Sequence, residues 1–513
     1  MRRSVDVEKM TASDQLLAGT RMTGSPEAWV REALELQRRD LVPEAIAAYQ
    51  RVLARWPGLA ECWYNLAVLQ RRALRLDDAL SSYQRALDAG VSRPEEVHLN
   101  RSVIYTDHLR QHAAAERELQ LALSLNPAYT PALLNLGNLY EDLGRREAAA
   151  QIYAAILARD PRCYEALARC ANVVVGAPDP QLLARLRAAL AMPTASAAER
   201  ASLGFALGRL LDAGGDYAAA FAAYCAANDA SRAAAAPSGV RYDRDRHHAF
   251  IDRIIATGTP PATARVTPEA RPRPIFICGM FRSGSTLAEQ LIARCPGVVA
   301  GGELDVIPRL VTGELKPYPE SLATLTGGRL ETIAAHYRSA LRHVAPDATY
   351  VIDKRPDNFL YLGLVKRLFP NARIVHTTRD PLDNCLSVFF LHLDQRMSYA
   401  LDLLDTGHYY VEYRRLMAHW RTQFGADIFD LDYDALVRDP APVLERLGAF
   451  LGLDWGARAP EPAATDRAVK TASVWQVREP LYRRSSGRAR HYAEQLRPLA
   501  SYLAAALPPQ SAG

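Results

Sequence analysis

Through the first half of the chain apolar positions recur at helical spacing, with turn signals returning roughly every 34 residues. The segments WYNLAVL (Trp63 to Leu69), HLNRSVI (His98 to Ile104) and LLNLGNL (Leu133 to Leu139) set Asn65, Asn100 and Asn135 at equivalent positions of one helix. EAIAAYQRVL, DALSSYQRAL and AAAQIYAAIL align Tyr49, Tyr83 and Tyr153 on a second. Pro57, Pro127 and Pro161 follow that second helix, where a residue without an N–H cannot extend the hydrogen-bond ladder. Four such pairs fit between Ser25 and Pro161, the third the least regular, and a degenerate fifth fits Ala201 to Asn228. Paired helices rich in small Ala residues predict a stacked helical array over residues 25–232.

Over residues 233–272 periodicity gives way to AAAAPSG, a short helical stretch RHHAFIDRIIATG, and TPPATARVTPEARPRP, a Pro density that marks a linker. His247 and His248 are adjacent, so they face different sides of their helix and are not expected to share a metal. Over residues 273–505 the pattern changes again. The runs IFICG, ATYVID and ARIVHTT read as short buried strands, alternating with helices at STLAEQLIARC, NFLYLGLVKRLFP and PLDNCLSVFF. Such alternation implies right-handed crossovers and a central parallel sheet covered on both faces. The expected architecture is therefore multidomain, α followed by α/β, with ligands bound beyond the carboxyl ends of the strands.

Composition narrows the partners. The 513 residues carry 62 Lys and Arg against 57 Asp and Glu, a net charge of +5, so a nucleic-acid coat is not indicated and any anion site must be local. The seven cysteines are scattered, odd in number and free of a C-x-x-C pair, which argues against a disulfide framework or zinc site and for a reducing compartment. Without a signal-peptide core or a long apolar run, the expected location is cytoplasmic.

Chemistry concentrates at strand ends. After the first strand, Gly279-Met280-Phe281-Arg282-Ser283-Gly284-Ser285-Thr286 opens directly into a helix, a turn that aims backbone N–H groups and the positive dipole end at one spot and so suits phosphate. It follows the nucleotide-binding P-loop pattern except that the motif's lysine is Ser285 and Arg282 stands mid-loop, a poor arrangement for a nucleoside triphosphate. Lys354 and Arg379 follow the next two strands, so three strand ends are expected to deliver Arg282, Lys354 and Arg379 to one edge, with Ser387 one to two turns into the next helix.

The first half resembles the tetratricopeptide repeat. With FRSGSTL, GGELDVIPRL (Gly301 to Leu310), DKRP, TTRDPLDNCLS and LDYDALVRDPAPVLERLGAFLGL (Leu431 to Leu453), the second half resembles the sulfotransferase fold. The whole chain looks like bacterial tetratricopeptide-repeat sulfotransferases related to tyrosylprotein sulfotransferases. That resemblance implies 3′-phosphoadenosine 5′-phosphosulfate (PAPS) as donor, with Arg282, Ser283, Gly284, Ser285 and Thr286 around the 5′-phosphosulfate and Arg379 and Ser387 on the 3′-phosphate. It further implies catalytic roles for Arg282, for Glu303 as base and for Lys354 on the leaving group, a nucleotide contact at Tyr433, and donor contacts at Ser485, Gly487 and Arg488 in the segment Ser473 to Tyr492. No metal is called for, since Arg, Lys and N–H groups can meet the phosphates. The acceptor stays open among protein or peptide tyrosine, a sugar and a lipid, with the repeats suited to binding a protein or peptide. The alternatives are a P-loop kinase or NTPase, and a non-catalytic repeat scaffold with a remnant nucleotide domain.

Overall fold

The computed structural model describes residues 25–176, 178–258, 271–394, 397–455 and 486–507. The chain divides into two compact units, Met1–Leu139 and Tyr140–Gly513.

In the first unit the periodicity becomes helical pairs: Pro26–Arg38 with Val42–Arg55, Ala60–Arg72 with Leu76–Asp88, and Pro94–Val103 with His112–Leu125, followed by the start of Thr130–Asp142. Buried Ala33, Ala45 and Ala48 line the seam of the first pair, where small side chains let the backbones approach, and Tyr49 donates its buried hydroxyl to Gln37 Oε1 at 2.9 Å. Asp40, Leu74 and Arg110 adopt the left-handed conformation at the turns within the first three pairs, a position that Gly144 fills at lower cost in the fourth. The irregularity of the third pair has a simple cause. Eleven positions separate Asn65 from Leu76 and Asn135 from Arg146, but twelve separate Asn100 from His112. The extra residue is absorbed by a π-helical turn at Ile104–His108, the usual way in which a helix accommodates a single insertion.

The second unit opens with helices Arg146–Arg159, Tyr164–Val173, Pro180–Ala191, Ala197–Ala213 and Tyr217–Ala235, then Arg244–Thr257. Gly204 brings the fourth and fifth of these together so closely that a Cβ there would lie 2.8 Å from Ala227 Cβ. Five parallel strands follow, β1 (Arg273–Gly279), β2 (Val298–Ala300), β3 (Tyr350–Lys354), β4 (Arg373–Thr378) and β5 (Ile428–Asp432), in the order β2-β3-β1-β4-β5. β1, β3 and β4 are the strands that the sequence pattern predicts; β2 and β5 are the added edges. Ile275 and Ile277 pack with Ile352, Val375 and Leu431 under helices Ser285–Ile292 and Pro440–Leu451. On the other face Phe276 meets Tyr337 and Phe369.

The helices of the second unit dock on the sheet domain through aromatic side chains. Tyr224 stacks on Phe390 at 3.8 Å, Phe205 on His392 at 5.1 Å, and Asn228 Nδ2 donates to the Phe389 carbonyl at 2.9 Å. Within the stretch 233–272, the helix Arg244–Thr257 packs on the helix Leu403–Phe424: His247 stacks on Tyr409, Arg244 Nε donates to Asp405 at 2.6 Å, and His248 bonds Glu412. All seven cysteines stand free. Among the described residues no helix is long and apolar enough to cross a membrane, and no three His, Cys, Asp or Glu side chains cluster as metal ligands.

Candidate active site

The loop after β1 is shaped by what its glycines allow. Gly279 has φ 153°, and a Cβ there would fall 2.4 Å from the Thr377 carbonyl of β4; Gly284 has φ 102°, and its Cβ would strike the Tyr433 ring at 2.5 Å. Ser283 braces the turn: its hydroxyl donates to the Met280 carbonyl at 2.6 Å and lies 2.7 Å from Thr377 Oγ1, and its N–H also bonds Met280. Its side chain is thus turned into the fold. Gly284 caps the helix Ser285–Ile292 without a side-chain acceptor, so the positive end of the dipole faces the turn, with Ser285 and Thr286 at the first two helical positions.

Arg282 is the one non-glycine residue of this loop in the left-handed region, at φ 70°, a conformation that costs on the order of 1–3 kcal/mol and persists where surrounding contacts impose it. Those contacts are visible. Arg282 Nε donates to Ser387 Oγ at 3.1 Å, the Arg282 carbonyl accepts from Arg379 Nη1 at 3.2 Å, and Asn384 Nδ2 holds the neighbouring Phe281 carbonyl at 2.7 Å. Arg379 follows β4, is buried, and lies 5.2 Å over the ring of Tyr433, which opens the helix after β5. Asp380 caps the helix Pro381–Phe389 that carries Asn384 and Ser387. Arg282, Arg379, Ser387 and Tyr433 therefore meet at the carboxyl ends of β1, β4 and β5.

The β2 and β3 ends supply the second half of the site. Gly301 N–H bonds the Ile352 carbonyl, Lys354 N–H bonds the Gly302 carbonyl, and Gly302 N–H donates to Glu289 Oε1 at 2.7 Å. This lattice fixes the next residue, Glu303, opposite the end of β3, where Lys354 Nζ donates to Glu303 Oε1 at 2.6 Å. Lys354 is 2% exposed and Glu303 38%, so a desolvated ammonium is met by a carboxylate open to the crevice. The pair can hold a proton on the carboxylate and stabilise negative charge at the ammonium.

One residue earlier on β3, Asp353 is fully buried, and burial pushes its carboxyl up to about 7 although Tyr337 Oη at 2.5 Å, Asn358 and a backbone N–H favour the ionised form. The native state then holds this proton from the ordinary value of 3.8 up to about 7 while the unfolded chain has released it, so stability falls as pH rises through that window. Asp353→Asn is expected to stabilise the protein by about 1–4 kcal/mol at pH 8 and little at pH 4. Thermal melts at both values test it; an equal gap would mean that Asp353 ionises without penalty.

Of the C-terminal segment Ser473 to Tyr492, the described part is residues 486–492. Ser485 lies outside the described residues. Gly487 and Ala489 donate their N–H groups to Asp383, on the helix that carries Ser387. Arg488 points not at the loop but at Asp212, with Nη2–Oδ2 at 2.7 Å. Asp383, Glu289 and Asp212 were not among the expected site residues. Asp383 reads as a second acidic residue beside the Asp380 cap, and Glu289 as one polar position in an apolar helix, where a buried acceptor for a neighbouring loop leaves no pattern.

The α/β domain thus brings a lysine-free phosphate-type loop and a carboxylate–ammonium pair to the same sheet edge. Residues 274–457 match the profile of the sulfotransferase family, and residues 109–170 that of the tetratricopeptide repeat. An uncharacterized protein of Aquifex aeolicus (strain VF5) is 31% identical over 423 residues, 80% of this chain and 54% of its own length. A candidate protein-tyrosine sulfotransferase of Caenorhabditis briggsae is 21% identical over 194 residues, 35% of this chain and 66% of that protein. The chain thus spans about half to two thirds of these relatives. Among solved structures, the sulfotransferase domain from the curacin biosynthetic pathway is 17% identical, covering 46% of this chain and 99% of that one, with a TM-score of 0.33.

Proposed function

We propose that the α/β domain transfers a sulfuryl group from PAPS to a hydroxyl acceptor, working in the cytoplasm, which suits its free cysteines. The observation that carries this reading is the Glu303–Lys354 pair beside a phosphate-type loop in which Ser285 replaces the lysine of nucleoside triphosphatases. Arg282 to Thr286 receive the phosphosulfate, Arg379 and Ser387 the 3′-phosphate, and Tyr433 and Gly487 complete the nucleotide contacts. The sulfur–oxygen bond to the donor phosphate breaks as one to the acceptor oxygen forms. The acceptor's proton passes to Glu303, whose Oε1 holds Lys354 and whose Oε2 is left to take it. Lys354 meets the charge that develops on the departing bisphosphate, with no metal required. The acceptor in this reading is tyrosine of a protein or peptide, which the repeats and the resemblance to the Caenorhabditis briggsae protein support.

Adenosine 3′,5′-bisphosphate is expected to bind in EDTA with micromolar or better affinity, and ATP with magnesium far more weakly. Arg379→Ala should cost about 1.5–3 kcal/mol of that binding, the range for a charge-assisted hydrogen bond. Calorimetry giving equal affinity for adenosine 5′-monophosphate would remove the 3′-phosphate assignment, and a transfer assay with labelled donor tests the reaction itself.

A further inference from the structure

Arg488 and Tyr492 lie on the C-terminal segment, yet both reach one carboxylate on the helix Ala197–Ala213. Arg488 Nε and Nη2 meet Asp212 Oδ1 and Oδ2 at 3.2 and 2.7 Å, and the Tyr492 hydroxyl also donates to Oδ1. The Arg488 guanidinium lies 5.2 Å over Phe390, and Tyr492 is fully buried against the same ring at 5.0 Å. Two donors on one half-buried carboxylate, bedded on an aromatic residue, form an anchor with directional strength. On either side of Arg488, the N–H groups of Gly487 and Ala489 clasp Asp383, one turn before Ser387 on the same helix. Burial raises the Asp383 pKa, while those amides and the charge of Arg379 oppose it.

We infer that Asp212 is a positioning residue for sulfuryl transfer: it ties the segment Gly487–Tyr492 to the helical part of the chain and so holds that segment against the helix bearing Ser387. The inference rests on the sulfotransferase reading above. It makes Arg488 a structural anchor in place of a phosphate ligand and gives the last repeat-like helices a direct part in shaping the donor site.

The test uses the full chain with Asp212→Asn and the milder Tyr492→Phe, each first checked by thermal melting. Hydrogen exchange at the Gly487 and Ala489 amides is expected to quicken about tenfold in Asp212→Asn and less in Tyr492→Phe, an effect confined to the segment. The Kd of adenosine 3′,5′-bisphosphate and the donor KM should rise about five- to tenfold, with a smaller change in kcat, and Asp212→Glu should recover part of the loss. Unchanged exchange and unchanged donor Kd in both variants would overturn the inference. So would tighter donor binding by Asp212→Asn, which would mean that Asp212 withholds Arg488 from a phosphate. Failure of the wild-type chain to bind the bisphosphate at all is a distinct result: it removes the sulfotransferase reading, and the inference with it.

Discussion

Glu303→Gln is expected to lower the rate of transfer to the acceptor by ~10²–10⁴ while donor binding stays within about threefold, the signature of a lost general base. The substitution is chosen for its shape. A glutamine carbonyl can still accept from Lys354 Nζ, now 2.6 Å from Glu303 Oε1, so the ammonium keeps a partner and β3 keeps its terminus. Only the capacity to take a proton is removed. Lys354→Ala is a blunter probe, because it empties a site that is 2% exposed and leaves Glu303 without its partner, so donor affinity and rate should fall together. Because the two groups touch, their effects should not add, and the double variant should be little slower than the worse single one. Single-turnover measurements with pre-bound donor separate chemistry from binding. A Glu303→Gln enzyme that turned over at the wild-type rate on its natural acceptor would move the base elsewhere.

How far such a site can be read from sequence depends on whether its parts are marked by pattern or by distance. The loop Gly279–Thr286 is marked by pattern: two glycines at positions that accept no Cβ, a helix behind and a buried strand ahead. Arg379 and Ser387 follow from the next strand end and the helix it opens, so their meeting with Arg282 was legible once a parallel sheet was inferred. The three central strands each carry a short buried apolar run, Ile275–Cys278, Val351–Ile352 and Ile374–Val375, being covered on both faces. β2 has only three residues and β5 alternates apolar with acidic side chains, so neither produces that signal. What the sequence could not provide was long-range partnership. Arg488 looks the same on paper whether it meets a phosphate or an aspartate 276 residues away. Likewise a π-turn at Ile104–His108 appears in sequence only as a repeat that is one residue too long.

The aromatic dock beneath the donor helix decides how the role of the repeats can be tested by truncation, and two cuts should give opposite results. A chain that starts at Ala270 loses Phe205, Phe221, Tyr224, Asn228 and Asp212, and so uncovers Phe389, Phe390, His392 and Tyr492. At about 1.5–3 kcal/mol per buried aromatic side chain, three or four such losses rival a whole domain's stability of about 5–15 kcal/mol. This fragment is expected to be insoluble or unfolded and to bind no bisphosphate. A chain that starts at Thr130 keeps that dock and the whole of the helix Thr130–Asp142, and removes only the first three helical pairs. It should melt cooperatively and hold the bisphosphate within about twofold of the full chain, because every residue assigned to the donor lies in the unit Tyr140–Gly513. The two readings of the array then part over the acceptor. A stacked array offers an extended groove suited to a peptide and ill suited to a sugar or sterol, which need a compact pocket. If the first pairs present a protein acceptor, the Thr130 fragment should show an acceptor KM raised about tenfold or more on the native protein substrate, with kcat on a short tyrosine peptide retained. Full activity of that fragment on the native acceptor would confine the first three pairs to assembly and would favour a small acceptor held wholly by the α/β domain.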